Sequence, residues 1–176
     1  MRDPREEIIA VTHALDDAGM VPNKSGNVSC RVEDGFAITP AGIPYRELIT
    51  SHIVTLPLAA SEVATEPRPS SEWRMHAAIY RARPDVCAIV HTHSPRATAL
   101  AAAGRGIPPF HYMIALVGGD VRCTPYATFG TAELAESAVR GLQGRRACLL
   151  GNHGVMAIGN TLARAHAVAV EVENLA

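Results

Sequence analysis

The chain has 176 residues, 48% of them hydrophobic and 19% charged, with a net charge of −1 when histidine is neutral. That length suits one domain with a real core, and the balanced charge gives no reason to expect a nucleic-acid or membrane partner. The four cysteines, Cys30, Cys87, Cys123 and Cys148, are far apart and form no C-x-x-C pair, so they read as buried free thiols in a reducing compartment rather than as disulfides.

The stretch from Met1 to Glu7 is charged and lacks the apolar segment of a signal peptide, and no run approaches the length of a membrane span, which makes the cytoplasm the expected compartment. Apolar residues at Ile8, Ile9, Ala14 and Leu15, with Gly19 as a stop, predict an amphipathic helix over residues 5–18. Residues 27–32 and 36–39 read as strands joined through the turn Glu33-Asp34-Gly35. A short helical turn at 45–48, a strand at 52–58 and a polar, proline-bearing loop at 61–69 follow. Residues 72–82 form a predicted helix with Trp73, Ala77 and Tyr80 on one side, and 85–91 a strand. Then come an alanine-rich helix at 95–103, an apolar segment at 112–117 before Gly118-Gly119, and a helix at 132–142. Strands at 146–150 and 155–158 and a last helix at 161–175 complete the chain. With no internal repeat and no low-complexity linker, the pattern is one α/β sandwich, and the hairpins exclude a purely parallel sheet.

The most informative stretch is Ala88-Ile89-Val90-His91-Thr92-His93. Strand side chains alternate faces, so two histidines at i and i+2 project to one side, close enough to converge on a single ion. The run Ala147-Cys148-Leu149-Leu150-Gly151-Asn152-His153-Gly154 reads as a second buried strand ending in a histidine between glycines, where backbone can approach a ligand closely. His153 is the third expected ligand and Glu72, in Ser70-Ser71-Glu72-Trp73-Arg74-Met75-His76, the fourth. Three imidazoles and one carboxylate suit a divalent first-row metal; with no thiolate in the set zinc leads, ahead of manganese, cobalt or iron. His13, His52, His76, His111 and His166 stand outside this set, His76 either supporting Glu72 from one helical turn away or simply packed.

Three loops offer groups for an anion. Ser25-Gly26-Asn27 brings exposed amides, Thr39-Pro40-Ala41-Gly42 a tight turn, and Ser70-Ser71 precedes a helix whose free amides favour phosphate; capping and turn formation account for each loop taken singly. Neither a Walker motif nor a dinucleotide fingerprint is present, so a nucleotide is not the expected phosphate carrier.

Seven ordered blocks together resemble the class II aldolase/adducin family, most nearly its members that cleave L-fuculose 1-phosphate. They are Ser25-Gly26-Asn27-Val28-Ser29, the run from Ile38 to Tyr45, the run from Ser70 to His76, Val90-His91-Thr92-His93, His111-Tyr112-Met113-Ile114-Ala115, Pro125-Tyr126-Ala127-Thr128-Phe129-Gly130 and His153-Gly154. The resemblance runs nearly the whole length and implies one domain over residues 1–176, built as a three-layer α/β/α sandwich around a mixed, largely antiparallel sheet. It implies zinc held by His91, His93 and His153, with Glu72 a ligand at rest and the catalytic acid/base once substrate arrives. It further implies phosphate binding by Gly26, Asn27, Gly42, Ser70 and Ser71, Tyr112 as a general acid reaching a neighbouring subunit, Phe129 in the aldehyde pocket, and a cyclic homotetramer with sites between subunits.

The implied reaction is cleavage of a phosphorylated ketose to dihydroxyacetone phosphate and a small aldehyde. Relatives of the same group include ribulose-phosphate 4-epimerases, methylthioribulose-phosphate dehydratases and adducin-like modules without catalysis. Epimerases typically carry aspartate where Glu72 stands and lack the His111-Tyr112-Met113 block, and an adducin-like module has no need of metal ligands. The chain departs from the family pattern at Ala41, where a hydroxyl residue is usual, at Asn152, where a histidine often precedes the third ligand, and at Ala176, beyond which a further helix and an active-site tail are expected. Arg74 and Arg96, near the site in sequence, are read as solvated surface residues.

Overall fold

The structure, a computed structural model, describes residues 3–176. Met1 and Arg2 of the charged N-terminal stretch lie outside the described residues. Helix α1 spans Pro4–Asp17; the Asp3 carboxylate accepts from the Arg5 amide, Pro4 sits in the first turn, and Glu6 and Glu7 face the positive end of the dipole. Strands β1 (Asn27–Val32) and β2 (Gly35–Ile38) form the expected hairpin, with Val32 opposite Gly35 and only Glu33-Asp34 between them.

The strand expected at 52–58 is shorter. A 3₁₀ turn at Thr50–His52 takes its start, leaving β3 at Val54–Leu56. Next come α2 (Trp73–Ala82), β4 (Ala88–Thr92), α3 (Pro95–Ala102) and the four-residue α4 (Ile114–Val117). Strand β5 (Arg122–Thr124) was not foreseen; three residues at a sheet edge carry no alternation to read. Helix α5 (Ala132–Gly141), strands β6 (Ala147–Leu150) and β7 (Gly154–Gly159), and α6 (Leu162–Leu175) match their expected positions, with Thr131 and Thr161 capping the two helices through their side chains.

The seven strands form one sheet in the order β3-β2-β1-β4-β7-β6-β5, antiparallel throughout except for the parallel pair β5 and β6. Side-chain alternation sends Ala88 and Val90 to one face and Ile89 to the other, and each face carries its own apolar cluster. Helices α1, α3, α4 and α6 cover the first, with Leu15, Ala97, Val117 and Val168 buried; α2 and α5 cover the second, with Ile79 and Leu134 buried. The result is the three-layer sandwich expected from the motifs. No helix among the described residues is long and apolar enough to cross a membrane.

All four cysteines are free, but Cys87 is exposed and Cys123 half-buried, against the expectation of burial. Cys87 ends the turn leading into β4 rather than lying inside the strand. Cys30 and Cys148 are buried, and burial pushes both thiols up to about 12, which leaves them inert as nucleophiles.

Candidate functional site

Antiparallel pairing brings the chemistry to one end of the sheet. Asn27 at the start of β1 lies opposite His91 near the end of β4, and Thr92 lies opposite Val155 at the start of β7, so His93 and His153 flank the same corner. Helix α2 begins beside it, with Glu72 at its N-cap but without a capping hydrogen bond from the side chain. Instead Glu72 turns inward: its Oε2 is 3.1 Å from His91 Nε2 and its Oε1 3.1 Å from His153 Nε2. His91 Nε2 and His93 Nε2 are 3.0 Å apart. The four residues present ligand atoms that all lie within 4.8 Å of one another, and the three imidazole rings stand nearly perpendicular to each other.

These spacings fit a metal. Four ligands held tetrahedrally at 2.0–2.1 Å stand roughly 3.3 Å apart, close to the separations seen. Glu72 Oε1 is a buried atom with no aligned hydrogen-bond partner despite its nearness to His153, as expected when two lone pairs aim at a third body between them. The Val155 carbonyl, 2.9 Å from His91 Nδ1, can only accept, so that nitrogen carries the hydrogen and the neutral ring turns its Nε2 lone pair toward the group. Gly154 makes the room: a Cβ there would lie 2.4 Å from the Thr92 carbonyl oxygen and 2.9 Å from the His93 ring.

Burial is the largest influence on Glu72 and raises its pKa, but the charge of His91 and the close His153 and His91 nitrogens outweigh it and hold the carboxyl far below the usual range. Burial likewise lowers His91, yet Glu72 and the Val155 carbonyl lift it above its ordinary value. For His93, burial and the charges of His91 and His153 outweigh the attraction of Glu72 and push it down to about 3. It is therefore a neutral donor at physiological pH.

Behind Glu72 runs a buried hydrogen-bonded chain that the sequence reading did not foresee. Asn27 Nδ2 donates to Glu72 Oε2 at 2.9 Å, and since the Asn27 Oδ1 then faces away as an acceptor, His76 Nε2 donates to it at 2.5 Å. Burial, with the charge of His91, pushes His76 down to about 3, so its Nδ1 is a bare acceptor. Ser29 Oγ donates to that nitrogen at 2.7 Å and accepts in turn from the Tyr80 hydroxyl at 2.8 Å. Each direction is forced by the one before it. The available signal was a coincidence of two periods, with polar Asn27 and Ser29 at i and i+2 of a buried strand and Glu72, His76 and Tyr80 one turn apart on a helix.

A cavity of about 390 Å³ opens over the metal-binding group, lined by Ser25, Glu72, His93, Tyr126, Ala127, Phe129, Asn152 and His153. A second, of about 200 Å³, adjoins it; Gly26, Asn27, Gly42, Ser70 and Ser71 all line it, together with Glu72. All five residues expected at an anion are thus neighbours. Their side chains are not all free, because Asn27 is bonded to Glu72 and His76, and Ser70 Oγ accepts from the Glu72 amide at 3.3 Å.

Tyr112 is 80% exposed and lines neither cavity of the single chain. It lies just before α4, where Met113, Ile114 and Val117 pack inward and the tyrosine is left on the outside. Phe110, Tyr126 and Phe129 are also largely exposed. Arg74 lies over the Trp73 ring and Arg96 is exposed, as expected of surface residues.

The family model described as Class II Aldolase and Adducin N-terminal domain matches residues 6–176. The chain is 48% identical over 176 residues to the 5-methylthioribulose-1-phosphate/5-deoxyribulose-1-phosphate aldolase of Rhodospirillum rubrum, an alignment covering 96% of this chain and 79% of that protein. It is 45% identical over 171 residues to the L-fuculose phosphate aldolase of Escherichia coli, covering 97% and 79%. Among solved structures, an L-fuculose 1-phosphate aldolase superposes with a TM-score of 0.94 at 40% identity, covering 99% of this chain and 84% of that one.

Proposed function

This chain belongs to the class II aldolase and adducin family and is a metal-dependent aldolase, and from that premise we propose that it cleaves a phosphorylated ketose of the L-fuculose 1-phosphate kind to dihydroxyacetone phosphate and a small aldehyde. The observation that carries this reading is the convergence of Glu72, His91, His93 and His153 under a cavity that adjoins an anion-ready loop cluster. The family members named above act on ketose 1-phosphates ending in a methyl or methylthio group, and Tyr126, Ala127 and Phe129 supply an apolar wall suited to such an end.

His91, His93, His153 and Glu72 are the residues to hold the ion, zinc being the leading candidate. A divalent ion there supplies a Lewis acid for the negative charge that builds on the substrate oxygens when the bond beside the ketone breaks or forms. In the synthetic direction Glu72 takes a proton from the hydroxymethyl carbon of dihydroxyacetone phosphate. The freed electron pair forms the bond to the aldehyde carbon, and the Tyr112 hydroxyl gives its proton to the aldehyde oxygen. Cleavage runs the same transfers backwards. Asn27, locked by His76, keeps one donor on Glu72 Oε2, which fixes the carboxylate's orientation while it exchanges the proton. Gly26, Asn27, Gly42, Ser70 and Ser71 receive the phosphate. Tyr112 reaches the reacting oxygen from a neighbouring subunit of a cyclic tetramer, which accords with its 80% exposure in the single chain.

The test is metal-dependent release of dihydroxyacetone phosphate from L-fuculose 1-phosphate, 5-deoxyribulose 1-phosphate and 5-methylthioribulose 1-phosphate, with L-ribulose 5-phosphate, whose phosphate sits on the aldehyde half, followed for cleavage and epimerisation. Glu72→Gln should lower kcat by about 10²–10⁴. Epimerisation of L-ribulose 5-phosphate without release, or full activity in the Gln variant, overturns the assignment.

A further inference from the structure

Lys24 is the only lysine in the chain, which holds 16 lysine and arginine residues in all. It lines the 200 Å³ cavity beside Gly26, Asn27, Gly42, Ser70 and Ser71, and among the described residues it is the only cationic one to do so. Its Nζ has a single long contact, 3.5 Å to the Gly42 carbonyl oxygen, and no carboxylate partner among the described residues. The backbone that presents it is unusual: Asn23 and Lys24 have φ of 55° and 61°, two successive non-glycine residues in the left-handed region. Such conformations persist where the surroundings enforce them and cluster at ligand-holding sites. The next residue adds a second sign, since Ser25 Oγ is buried without a hydrogen-bond partner and Ser25 lines both this cavity and the one over the metal-binding group.

A cation in this cavity would strengthen its hold on a phosphate. Every other expected phosphate contact is a neutral amide or hydroxyl, Ala41 brings no hydroxyl at all, and the Glu72 carboxylate forms part of the same wall. A phosphate monoester carries between −1.5 and −2 charges near neutrality; an ion on Glu72 would offset that carboxylate, and among the described residues lining the phosphate cavity itself Lys24 is the cation that can answer the phosphate charge. We propose that Lys24 is the charged anchor of the substrate phosphate, with Ser25 Oγ donating beside it, at the junction of the two cavities. The inference rests on the aldolase reading and assigns a residue within the same site. The flexible lysine stem lets the ammonium exchange its weak carbonyl contact for the phosphate oxygens without moving the loop.

A lone lysine makes the experiment clean. Reductive methylation of the 176-residue chain with ¹³C-formaldehyde labels one ε-amine and the terminal α-amine, and Lys24→Arg identifies the first by its disappearance. Inorganic phosphate and dihydroxyacetone phosphate should shift the ε-signal saturably, whereas sodium chloride of equal ionic strength should not; an equal shift in chloride overturns the proposal. In steady state, Lys24→Met should raise KM for the ketose phosphate and Ki for inorganic phosphate by about 10–100-fold with kcat within about threefold, and Lys24→Arg should restore most of the loss. Arg68→Met removes a neighbouring charge whose cavity shares Gly42 and Ser71 and should change either constant by less than about threefold; a change matching that of Lys24→Met reduces the effect to general field and overturns the anchor. An active enzyme with unchanged constants in Lys24→Met overturns Lys24 and leaves the aldolase standing. A saturable phosphate shift in a protein that cleaves no ketose phosphate supports the anchor and overturns the aldolase reading instead.

Discussion

Two parts of this molecule face the same cavity and are built in opposite ways. The metal-binding group is drawn from the end of β4, the turn before β7 and the start of α2 of one chain; His91 and Glu72 are buried, and the chain from Asn27 through His76 and Ser29 to Tyr80 behind Glu72 is paired in a fixed direction. The aromatic wall of Tyr126 and Phe129 is 58% and 68% exposed, and Phe110 and Tyr112, outside that cavity, are 64% and 80% exposed. Large apolar side chains left in water on loops mark a contact surface. The metal-binding group thus lies within one chain, while in the proposed tetramer the exposed aromatic part is what a neighbouring subunit would cover.

The sharpest way to break this contrast is to remove a ligand. His93→Ala should abolish metal retention and lower activity on the order of 10³-fold or more, measured by metal content and turnover on one preparation, with the oligomer unchanged. Activity retained with metal lost would place the chemistry elsewhere. The next effect belongs to the exposed side: Tyr112→Phe should lower kcat by about 100-fold with metal content intact, and mixing it with Glu72→Gln protein should recover activity where the two residues meet across subunits. Failure of the mixture to recover any activity would confine both roles to one chain or remove Tyr112 from the chemistry.

The smallest effect separates the two regions by pH. In chelator-treated protein, His76 and His93 sit near 3 against an ordinary 6.5, so the unfolded chain gains protons first and stability falls as pH drops below about 6.5. Glu72, lowered from 4.5, adds to that loss on the far acid side. His91 is raised, so its contribution is complete below 6.5 and fades as pH climbs through its folded value. Melting temperature should therefore peak near neutrality, and His76→Gln should make the acid limb shallower. A limb that keeps its full slope in that variant would take the acid sensitivity away from the chain behind Glu72.

The elements that could be read from sequence are those whose signal is local. The β1–β2 hairpin, the five longer helices and the histidine-bearing strand all declare themselves through period and punctuation, and the His-x-His pair needed only the alternation of a strand to point at a metal. What escaped depends on partners distant in sequence. Strand β5 exists because β6 lies beside it, and its three residues have no pattern of their own. Asn27 reads as a loop amide for an anion, and its commitment to Glu72 and His76 appears only once β1 is set against α2. The exposure of Tyr112 was not legible either, because an apolar neighbourhood in sequence says nothing about which residue beside a short helix is left outside.

The sheet ends on both sides in strands of three residues, Val54–Leu56 and Arg122–Thr124. Edges that short are poor templates for another strand, which guards the chain against runaway stacking of sheet on sheet and the fibres that follow. A mutation that lengthened either edge would give copies of the chain a strand to pair with and open a route to aggregation.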